Sequence, residues 1–387
     1  MTFIINRLIR ILIDIMVQKT ICLVYNTSKY LYLHRLELLK TLLDMGNTVY
    51  VLAPEDRYSS KIRNEGANFI SFPIDRKGMN LFKEICSSWN IFMIYRKIKP
   101  DIVHHFTPKP IIYGSFLANL LGIPVIINSI NGLGTLWTNK SWGKRLLFFL
   151  YKYTLNFKNT QNIFQNKDDM ELLISKSVIS PLSSMVIESC GINLQKYSPT
   201  KYNNNLKDNK LFTFLFLSRM LYDKGLEELK CASLELYAER QDFTVILAGE
   251  LDNGNPASVS EKWIKTISED SPVRWIGFVD DTPKLIAKCD VMILPSYREG
   301  FSQSLVEALA MGRPIITTDV PGCREMINGN GFLVAPQNTK ELKNAMNKML
   351  QSNVGLKEMG RRSKDMAKRF DVKIINQQTI ELYGIHI

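Results

Sequence analysis

The chain has few cysteines and histidines and no long hydrophobic run, and each absence excludes a class of protein. Six cysteines are scattered along 387 residues without a C-x-x-C or zinc-like spacing, and only four histidines accompany them. Isolated thiols of this kind are typical of reduced cysteines in the cytosol, so neither a disulfide scaffold nor a zinc finger is expected. No apolar run reaches the ~18–20 residues that a membrane-spanning helix needs. The sequence therefore predicts a cytoplasmic globular protein.

The sequence also lacks a D-x-D pair, and its charge is unevenly distributed. Before Tyr197 there are 24 basic and 13 acidic residues, whereas 25 basic and 24 acidic residues follow it. The basic half is expected to face an anionic partner, which could be nucleic acid, an acidic membrane leaflet or a phosphate-bearing substrate. With neither a D-x-D pair nor a histidine cluster, no metal site is predicted. The chain length favours two domains.

The N-terminal extension, residues 1–19, is apolar except for charges at helical spacing. Arg7, Arg10 and Asp14 recur within MTFIINRLIRILIDIM. This pattern is typical of an amphipathic helix at a membrane surface and not of a secretory signal, because charges interrupt the apolar region. Alternatively, Met16 is the true start and the preceding residues are a dispensable extension.

From residue 20 onward, short apolar runs alternate with longer amphipathic stretches, which predicts parallel β-sheets with helical crossovers. In the first half, strands are expected at 21–25, 48–54, 101–106 and 124–130. In the second half, they are expected at 212–218, 243–249, 273–277, 291–296, 314–318 and 331–335. The predicted fold class is α/β, with two doubly wound, Rossmann-like domains facing a central cleft.

The polar, asparagine-rich segment 197–210 predicts a linker between these domains. The first domain then spans 20–196 and the second 211–365, and residues 366–387 are expected to form a helix that returns to the first domain. In doubly wound sheets, ligands bind beyond the carboxyl ends of the strands. Functional residues are therefore expected directly after the apolar runs.

Two cations follow the predicted strand 212–218, in the segment SRMLYDKG. Arg219 lies just past the expected sheet edge and Lys224 near the start of the next helix. Arginine binds phosphate through its planar fork and lysine as a point charge, so the pair predicts a phosphate site. The alternative is a pair of solvated or salt-bridged surface cations.

A second motif, REGFSQSLVEALAMG, follows the predicted strand 291–296. Gly300 allows close backbone approach, and Ser302 or Ser304 is expected to cap a helix that Gly312 ends. Such a helix start offers N–H groups and a positive dipole end to an anion. Glu299 lies before the helix and Glu307 within it, so a diphosphate at the helix start would leave Glu307 near a ribose and Glu299 near a sugar. Alternatively, they are a capping and a solvent-facing carboxylate.

Together these motifs resemble the retaining GT-B glycosyltransferases of family four. EGFSQSLVE resembles the E-x7-E signature of that family, and SRMLYDKG resembles its R-x4-K diphosphate clamp. The resemblance implies that Arg219 and Lys224 hold the donor diphosphate, that Glu307 binds the ribose and that Glu299 binds the transferred sugar. The implied catalytic residues are Glu299, Arg219 and Lys224, and the implied donor-binding residues are Arg219, Lys224, Gly300, Phe301, Ser302 and Glu307.

The first half resembles the subgroup that extends undecaprenyl-diphosphate-linked glycans in O-antigen, capsule and protein glycosylation. The segments that carry this likeness include HHFTPKPIIYG and NGLGTLW. It implies a lipid-diphosphate acceptor and a UDP-hexose or UDP-N-acetylhexosamine donor, with no cofactor besides the donor. The implied acceptor-side residues are Asn26, His105, Lys109 and Asn131. Asn131 stands where many members of the wider family have histidine, and Asn26 begins an Asn-Thr-Ser segment in place of a glycine-rich loop. Of His104 and His105, only one can face the crevice, and His105 is favoured over His104 for that place; the alternative, and the commoner fate of either residue, is a histidine packed in the core.

The growing charge on a departing diphosphate calls for preorganised side-chain cations and N–H groups, so the sequence predicts an enzyme that needs no metal ion. Retention of the anomeric configuration is implied by the resemblance alone, and because no nucleophile is evident, front-face displacement is expected with it. The basic half would then face the anionic inner leaflet, with peripheral membrane association. WGKRLLFFLYKY at 142–153 is either the docking surface or a core helix with basic ends. Two other functions stay open: a nucleotide-sugar epimerase of similar build, and a nucleic-acid-binding protein, for which no helix-turn-helix or zinc-finger pattern is present.

Overall fold

The computed structural model describes residues 18–74, 81–133, 142–202, 211–268 and 271–384. The chain divides into two compact units. The first unit comprises Met1–Gly191 and Val372–Ile387, and the second comprises Ile192–Asp371. Residues 1–17, which make up most of the predicted N-terminal extension, lie outside the described residues. No helix within the described residues is long and apolar enough to span a bilayer.

The first unit contains a seven-stranded parallel sheet. Its strands are β1 (Thr20–Val24), β2 (Thr48–Ala53), β3 (Asn68–Ser71), β4 (Ile102–Phe106), β5 (Val125–Ile130), β6 (Thr160–Phe164) and β7 (Ser184–Val186). Its helices before residue 192 are α1 (Ser28–Asp44), α2 (Ser59–Asn64), α3 (Leu81–Ile98), α4 (Ser115–Leu120), α5 (Trp142–Thr154) and α6 (Lys167–Ser175). The strand order is β3-β2-β1-β4-β5-β6-β7, so all strands run parallel and the order in which they are added reverses between β1 and β4.

Alternation along β1 shows why this sheet carries helices on both faces. Ile21 and Leu23 pack with α1 in one core, whereas Cys22 and Val24 pack with α3 and α4 in another. Side chains of a strand alternate between faces, so a strand covered on both sides is apolar throughout. The predicted strands 21–25, 48–54, 101–106 and 124–130 are present as β1, β2, β4 and β5.

The second unit contains a six-stranded parallel sheet of the same kind. Its strands are β8 (Phe212–Leu217), β9 (Phe243–Ala248), β10 (Val273–Trp275), β11 (Val291–Leu294), β12 (Ile315–Thr318) and β13 (Gly331–Val334). Its helices are α7 (Leu226–Tyr237), α8 (Glu261–Ser268), α9 (Thr282–Ile286), α10 (Gln303–Ala310), α11 (Thr339–Gln351) and α12 (Asn353–Ala367). The order β10-β9-β8-β11-β12-β13 places the reversal between β8 and β11. Both sheets are doubly wound, as the sequence predicts.

The last helix, α13 (Val372–Glu381), packs with the first unit. Ile375 and Ile380 are buried in the core beside α1. The Asn376 amide donates a hydrogen bond to the Thr41 hydroxyl at 3.0 Å. The chain returns to the first unit at Val372, six residues after the start predicted from the sequence for the returning helix, residue 366.

The boundary between the units also differs from the predicted linker 197–210. The division lies after Gly191, and Tyr197 is buried in the core of the second unit. The amino end of the predicted linker is therefore part of that unit, since Tyr202 also packs against the same core. Residues 203–210 lie outside the described residues.

Candidate functional site

In the second unit, Lys224 and Glu299 form an ion pair between two neighbouring strand ends. Lys224 ends a 3-10 turn after β8, and Glu299 lies in the loop after β11. The Lys224 Nζ to Glu299 Oε1 distance is 2.7 Å, and the side chains are only 11% and 15% exposed. Gly225 has a φ of +76°, and a Cβ there would lie 2.1 Å from the Pro295 carbonyl oxygen. Glycine thus lets the two loops approach closely enough for the pair to form.

Arg219, also after β8, is paired with a residue that the sequence motifs do not include. Its Nη1 lies 2.7 Å from Asp252 Oδ2, and the Asp252 side chain is 8% exposed. The Asn255 amide donates a second hydrogen bond to the same oxygen at 2.9 Å. Asp252 follows β9, so the rule that functional residues follow strands could have indicated it, although no spacing motif marks it. The pair holds the Arg219 guanidinium at the carboxyl edge of β8.

The loop before α10 is held against the turn after β12. Backbone N–H groups of Glu299 and Ser302 donate to the carbonyls of Pro321 and Gly322 at 3.3 and 3.0 Å. Ser302 is the N-cap residue, and its hydroxyl lies 3.3 Å from the Ser304 hydroxyl. The helix start therefore presents the positive end of its dipole beside the Lys224–Glu299 pair. The sequence predicts an anion site at 300–302, and this role stays a prediction.

The side chain of Phe301 corrects one detail of that prediction. It is 8% exposed and packs edge-on against Phe370, with ring centroids 5.3 Å apart. Phe301 therefore anchors the loop in the core and offers a ligand no open ring face. The sequence could not decide this, because an aromatic residue between a glycine and a serine fits either a binding surface or a core.

Glu307 lies within α10 and is partly buried. Burial raises the pKa of its carboxyl group to about 7, against the weaker lowering effects of the Thr282 and Tyr197 hydroxyls and of Lys196. The Tyr197 and Thr282 hydroxyl oxygens are 2.8 Å apart. Glu307 Oε2 is buried without a hydrogen-bond partner among the described residues. A buried acceptor of this kind suits a ligand hydroxyl.

Replacing Glu307 by glutamine is expected to stabilise the fold in alkaline solution. An acid whose pKa is higher in the folded chain than in the unfolded chain lowers the free energy of unfolding as the pH rises from about 4.5 to about 7. The Glu307→Gln variant should therefore gain up to about 3 kcal/mol at pH 8 and nothing at pH 4.5. Urea denaturation at the two pH values measures the difference. An equal gain at both values would contradict the raised pKa.

In the first unit, three predicted acceptor-side residues follow neighbouring strands. Asn26 follows β1, Lys109 follows β4 and Asn131 follows β5, and these strands are adjacent in the sheet. Lys109 forms a short ion pair with Glu84, with the side chains 19% and 11% exposed. The Asn131 amide lies 3.5 Å from the Tyr25 hydroxyl, and its Oδ1 is buried without a partner among the described residues. These residues share one edge of the sheet.

His105 does not belong to that edge, so its assignment to the acceptor side is corrected. Its side chain is fully buried, with Nε2 2.8 Å from the Tyr95 hydroxyl and Nδ1 3.0 Å from Asn128 Oδ1. Burial lowers the pKa of His105 to about 4. A Cβ at position 114 would lie 2.3 Å from Nε2, so Gly114 leaves room for the ring. Both hydrogen-bonding nitrogens are satisfied inside the fold, which makes His105 a core residue.

The helix α5, which contains the predicted docking stretch 142–153, has two different faces. Tyr151 is 2% exposed and belongs to the core, whereas Phe149 and Tyr153 are 67% and 56% exposed. The helix is therefore partly a core helix and partly an apolar surface. The side chains of Lys144 and Arg145 lie outside the described residues.

In the described part of the chain, no group of three or more acidic, histidine or cysteine side chains is placed to hold a metal ion.

Both units match known families. Residues 20–167 match the family described as glycosyl transferase 4-like, and residues 212–352 match glycosyl transferases group 1. The first match includes Asn26, Lys109 and Asn131, and the second includes Arg219, Lys224, Glu299 and Glu307.

Curated relatives align along most of the chain. One from Campylobacter jejuni, named N,N'-diacetylbacillosaminyl-diphospho-undecaprenol alpha-1,3-N-acetylgalactosaminyltransferase, is 27% identical over 91% of this chain and 95% of its own length. The Staphylococcus aureus capsular polysaccharide biosynthesis glycosyltransferase CapM is 24% identical over 87% of this chain and 89% of its own. An Escherichia coli relative, named UDP-Gal:alpha-D-GlcNAc-diphosphoundecaprenol alpha-1,3-galactosyltransferase, is 24% identical over 72% of this chain and 73% of its own.

Solved structures share the fold. Anabaena Alr3699/HepE in complex with UDP-glucose superposes with a TM-score of 0.79 at 20% identity, covering 95% of this chain and 100% of that chain. A glycosyltransferase from Rickettsia africae ESF-5 gives a TM-score of 0.75 at 20% identity, covering 95% and 98%. At this level of identity the likeness is one of fold.

Proposed function

Since the chain is a glycosyltransferase of the GT-B fold, with a 4-like domain followed by a group 1 domain, we propose that it transfers a sugar from a UDP-sugar to a polyprenyl-diphosphate-linked glycan. The product would belong to a bacterial surface polysaccharide or protein-linked glycan. The observation that carries the proposal is the Lys224–Glu299 pair beside the start of α10. The pair joins a buried cation and a carboxylate near the start of a helix, which supports a site for a diphosphate and the sugar attached to it.

The donor half of the proposal is supported by the charges at the edge of the second sheet. Lys224 and Arg219 follow β8, and α10 starts after the neighbouring β11, so these positive groups share the sheet edge where a diphosphate would lie. Glu307 has a buried oxygen suited to a ribose hydroxyl. Burial of the Glu307 carboxylate lowers the stability of the fold, and this cost favours a role for the residue in ligand binding. UDP as the carrier is further supported by the Escherichia coli relative, whose name specifies UDP-Gal, and by the Anabaena structure with UDP-glucose.

The proposed reaction breaks the bond between the anomeric carbon and the diphosphate oxygen. The electron pair stays on the departing phosphate, where Lys224 and Arg219 stabilise the growing negative charge. The acceptor hydroxyl attacks from the same face, so the anomeric configuration is retained, and its proton passes to the departing phosphate oxygen. Because two side-chain cations and the helix start supply this stabilisation, turnover should need no divalent cation and no cofactor.

The acceptor half is supported by the names of the relatives and by charge. The Campylobacter jejuni and Escherichia coli relatives are named for acceptors carried on a diphospho-undecaprenol. A lipid-linked acceptor would bring the enzyme to the inner face of the cell membrane, where each nearby basic residue contributes ~1 kcal/mol of attraction to anionic lipid. The excess of 24 basic over 13 acidic residues before Tyr197 fits peripheral association there.

Incubation with radiolabelled donors tests the proposal. UDP-glucose, UDP-galactose, UDP-N-acetylglucosamine and UDP-N-acetylgalactosamine would each be mixed with an undecaprenyl-diphosphate-linked saccharide, with and without EDTA. We expect one donor to label the lipid phase, equally in both conditions. Conversion of the free sugar nucleotide would indicate an epimerase instead. Labelling that EDTA abolishes would contradict the roles given to Lys224 and Arg219.

A further inference from the structure

The first unit contains an apolar cavity that the proposed reaction does not use. Its volume is about 710 Å³, within the ~300–1,000 Å³ range of ligand pockets. It lies among α3, α4 and α5 and is lined by hydrophobic side chains from all three helices, including Trp89, Phe92, Leu117, Leu120, Leu146 and Leu150. A cavity with such walls is suited to a hydrocarbon.

Several lining residues are exposed to an extent unusual for large apolar side chains. Ile85, Trp89 and Leu120 are 60%, 63% and 63% exposed, and Leu146 is 43% exposed. Phe82 at the start of α3 is 74% exposed and continues this surface. Contiguous apolar surface on a water-facing helix costs free energy and commonly marks a binding site. The cavity is therefore an open groove with one side towards solvent.

One end of the groove is charged. Lys109 and Glu84 both line it, and Tyr113 lies beside them. The pKa of the Tyr113 hydroxyl is raised by burial and by the Glu84 carboxylate, so this group is a neutral hydrogen-bond donor at physiological pH. An ammonium group carries three donors, so Lys109 can hold Glu84 and a phosphate oxygen together.

The charged end lies towards the edge of the sheet where the acceptor is proposed to bind. Lys109 comes three residues after β4, at its carboxyl end. Helices that join parallel strands run back towards the amino ends. Glu84 near the start of α3 is thus close to the carboxyl edge, and Trp89 and Leu120 lie progressively further from it along α3 and α4. The groove leads from a cation at the reactive edge into an apolar channel.

From this arrangement we infer that the groove binds the polyprenyl chain of the acceptor, with the lipid diphosphate at Lys109. The inference rests on the proposed function. An amphiphile with an anionic head and a branched hydrocarbon tail matches both ends of the groove, whereas a flat bilayer surface would leave a concave cavity unfilled. The chain would cover the exposed side chains of Ile85, Trp89 and Leu120.

Binding is tested without turnover by the fluorescence of Trp89 in the full-length protein. Undecaprenyl phosphate in detergent micelles should shift the emission of the wild type to shorter wavelength, relative to micelles alone. The shift should be lost in Trp89→Phe, which identifies the reporting side chain, and reduced in Leu120→Asp. Micelles alone producing the same shift would overturn the inference, since the surface would then bind any apolar phase.

Kinetics with two acceptors provide the second test. The acceptors carry the same saccharide diphosphate, one on undecaprenol and one on a short alkyl chain. Burying an apolar side chain contributes ~1.5–3 kcal/mol, so Ile85→Asp and Leu120→Asp should raise the KM for the long acceptor ~10–100-fold. Their kcat/KM for the short acceptor should stay near that of the wild type. Leu182→Asp, a change at a leucine that is 94% exposed and outside the groove, is the matched control.

The outcomes separate this inference from the proposed function. Equal losses with both acceptors, or no loss with either, would overturn the polyprenyl groove while leaving the transferase activity in place. If the wild type transfers sugar to neither acceptor, the proposed function fails, and the Trp89 experiment still decides whether the groove binds a polyprenyl chain. Leu120→Ala, which adds no charge, replaces Leu120→Asp if thermal unfolding shows that the aspartate variant is misfolded.

Discussion

Replacing Lys224 by alanine should lower kcat by ~10²–10³-fold, the effect of removing one preorganised donor from a developing oxyanion. The Lys224 ammonium is buried and is held 2.7 Å from Glu299, so it is fixed before the substrate arrives. Loss of a charge-assisted hydrogen bond of ~1.5–3 kcal/mol should also weaken UDP binding ~10–150-fold. Transfer of labelled sugar and calorimetric titration with UDP measure the two effects.

A destabilised fold could imitate this loss, because the substitution leaves the Glu299 carboxylate buried without its partner. The double variant Lys224→Ala/Glu299→Gln removes that unpaired charge and should unfold at nearly the wild-type temperature while staying inactive. Lys265→Ala changes an exposed lysine in the same unit and should behave as the wild type. Wild-type turnover in Lys224→Ala would refute the assignment of the diphosphate site.

Replacing Glu299 by glutamine should separate sugar transfer from nucleotide binding. The glutamine keeps the shape of the side chain but removes the negative charge that faces Lys224. We expect kcat to fall ~10²–10⁴-fold, because the carboxylate that we propose accepts hydrogen bonds from the sugar is then missing in the transition state. UDP should bind at least as tightly as to the wild type, because Lys224 no longer has a competing anionic partner in the protein.

Comparing Glu299→Gln with Lys224→Ala distinguishes a residue that contacts the sugar from one that contacts the diphosphate. Lys224→Ala should weaken UDP binding and turnover together, whereas Glu299→Gln should affect turnover alone. Glu261→Gln, at an exposed position of the same unit, is the control for removal of a carboxylate. If Glu299→Gln and Lys224→Ala weakened UDP binding equally, Glu299 would serve only to position the lysine and would not contact the sugar.

Apolar periodicity predicted most of the two sheets, but it failed where strands are polar. β6 has the sequence TQNIF and β7 is the three-residue SMV, and neither stands out as an apolar run. β6 is nevertheless buried, because its Asn162 side chain donates a hydrogen bond to the Leu155 carbonyl at 2.9 Å. Such a strand depends on partners that are distant in sequence, which a local pattern does not contain.

The residue motifs predicted where four charged residues of the second unit lie relative to strands and helices, but not which partners they contact. Arg219 and Lys224 follow β8, and Glu299 and Glu307 flank the start of α10, as the motif spacing predicts. Asp252 was missed because it belongs to no motif. His105 was misplaced because strand alternation states only that neighbouring side chains face opposite ways, and both faces of this sheet are covered by helices.

The sequence by itself determined the class of fold, most of the alternation of strands and helices along the chain, and the edge of each sheet at which charged residues collect, because these depend on local periodicity and on the chain direction. Tertiary structure alone decided which charges meet. Lys224 and Glu299 are 75 residues apart, and Lys109 and Glu84 are 25 apart, so their pairing depends on strand order and on how closely loops approach. The apolar groove of the first unit also forms only when α3, α4 and α5 pack side by side, since its walls come from three separate segments.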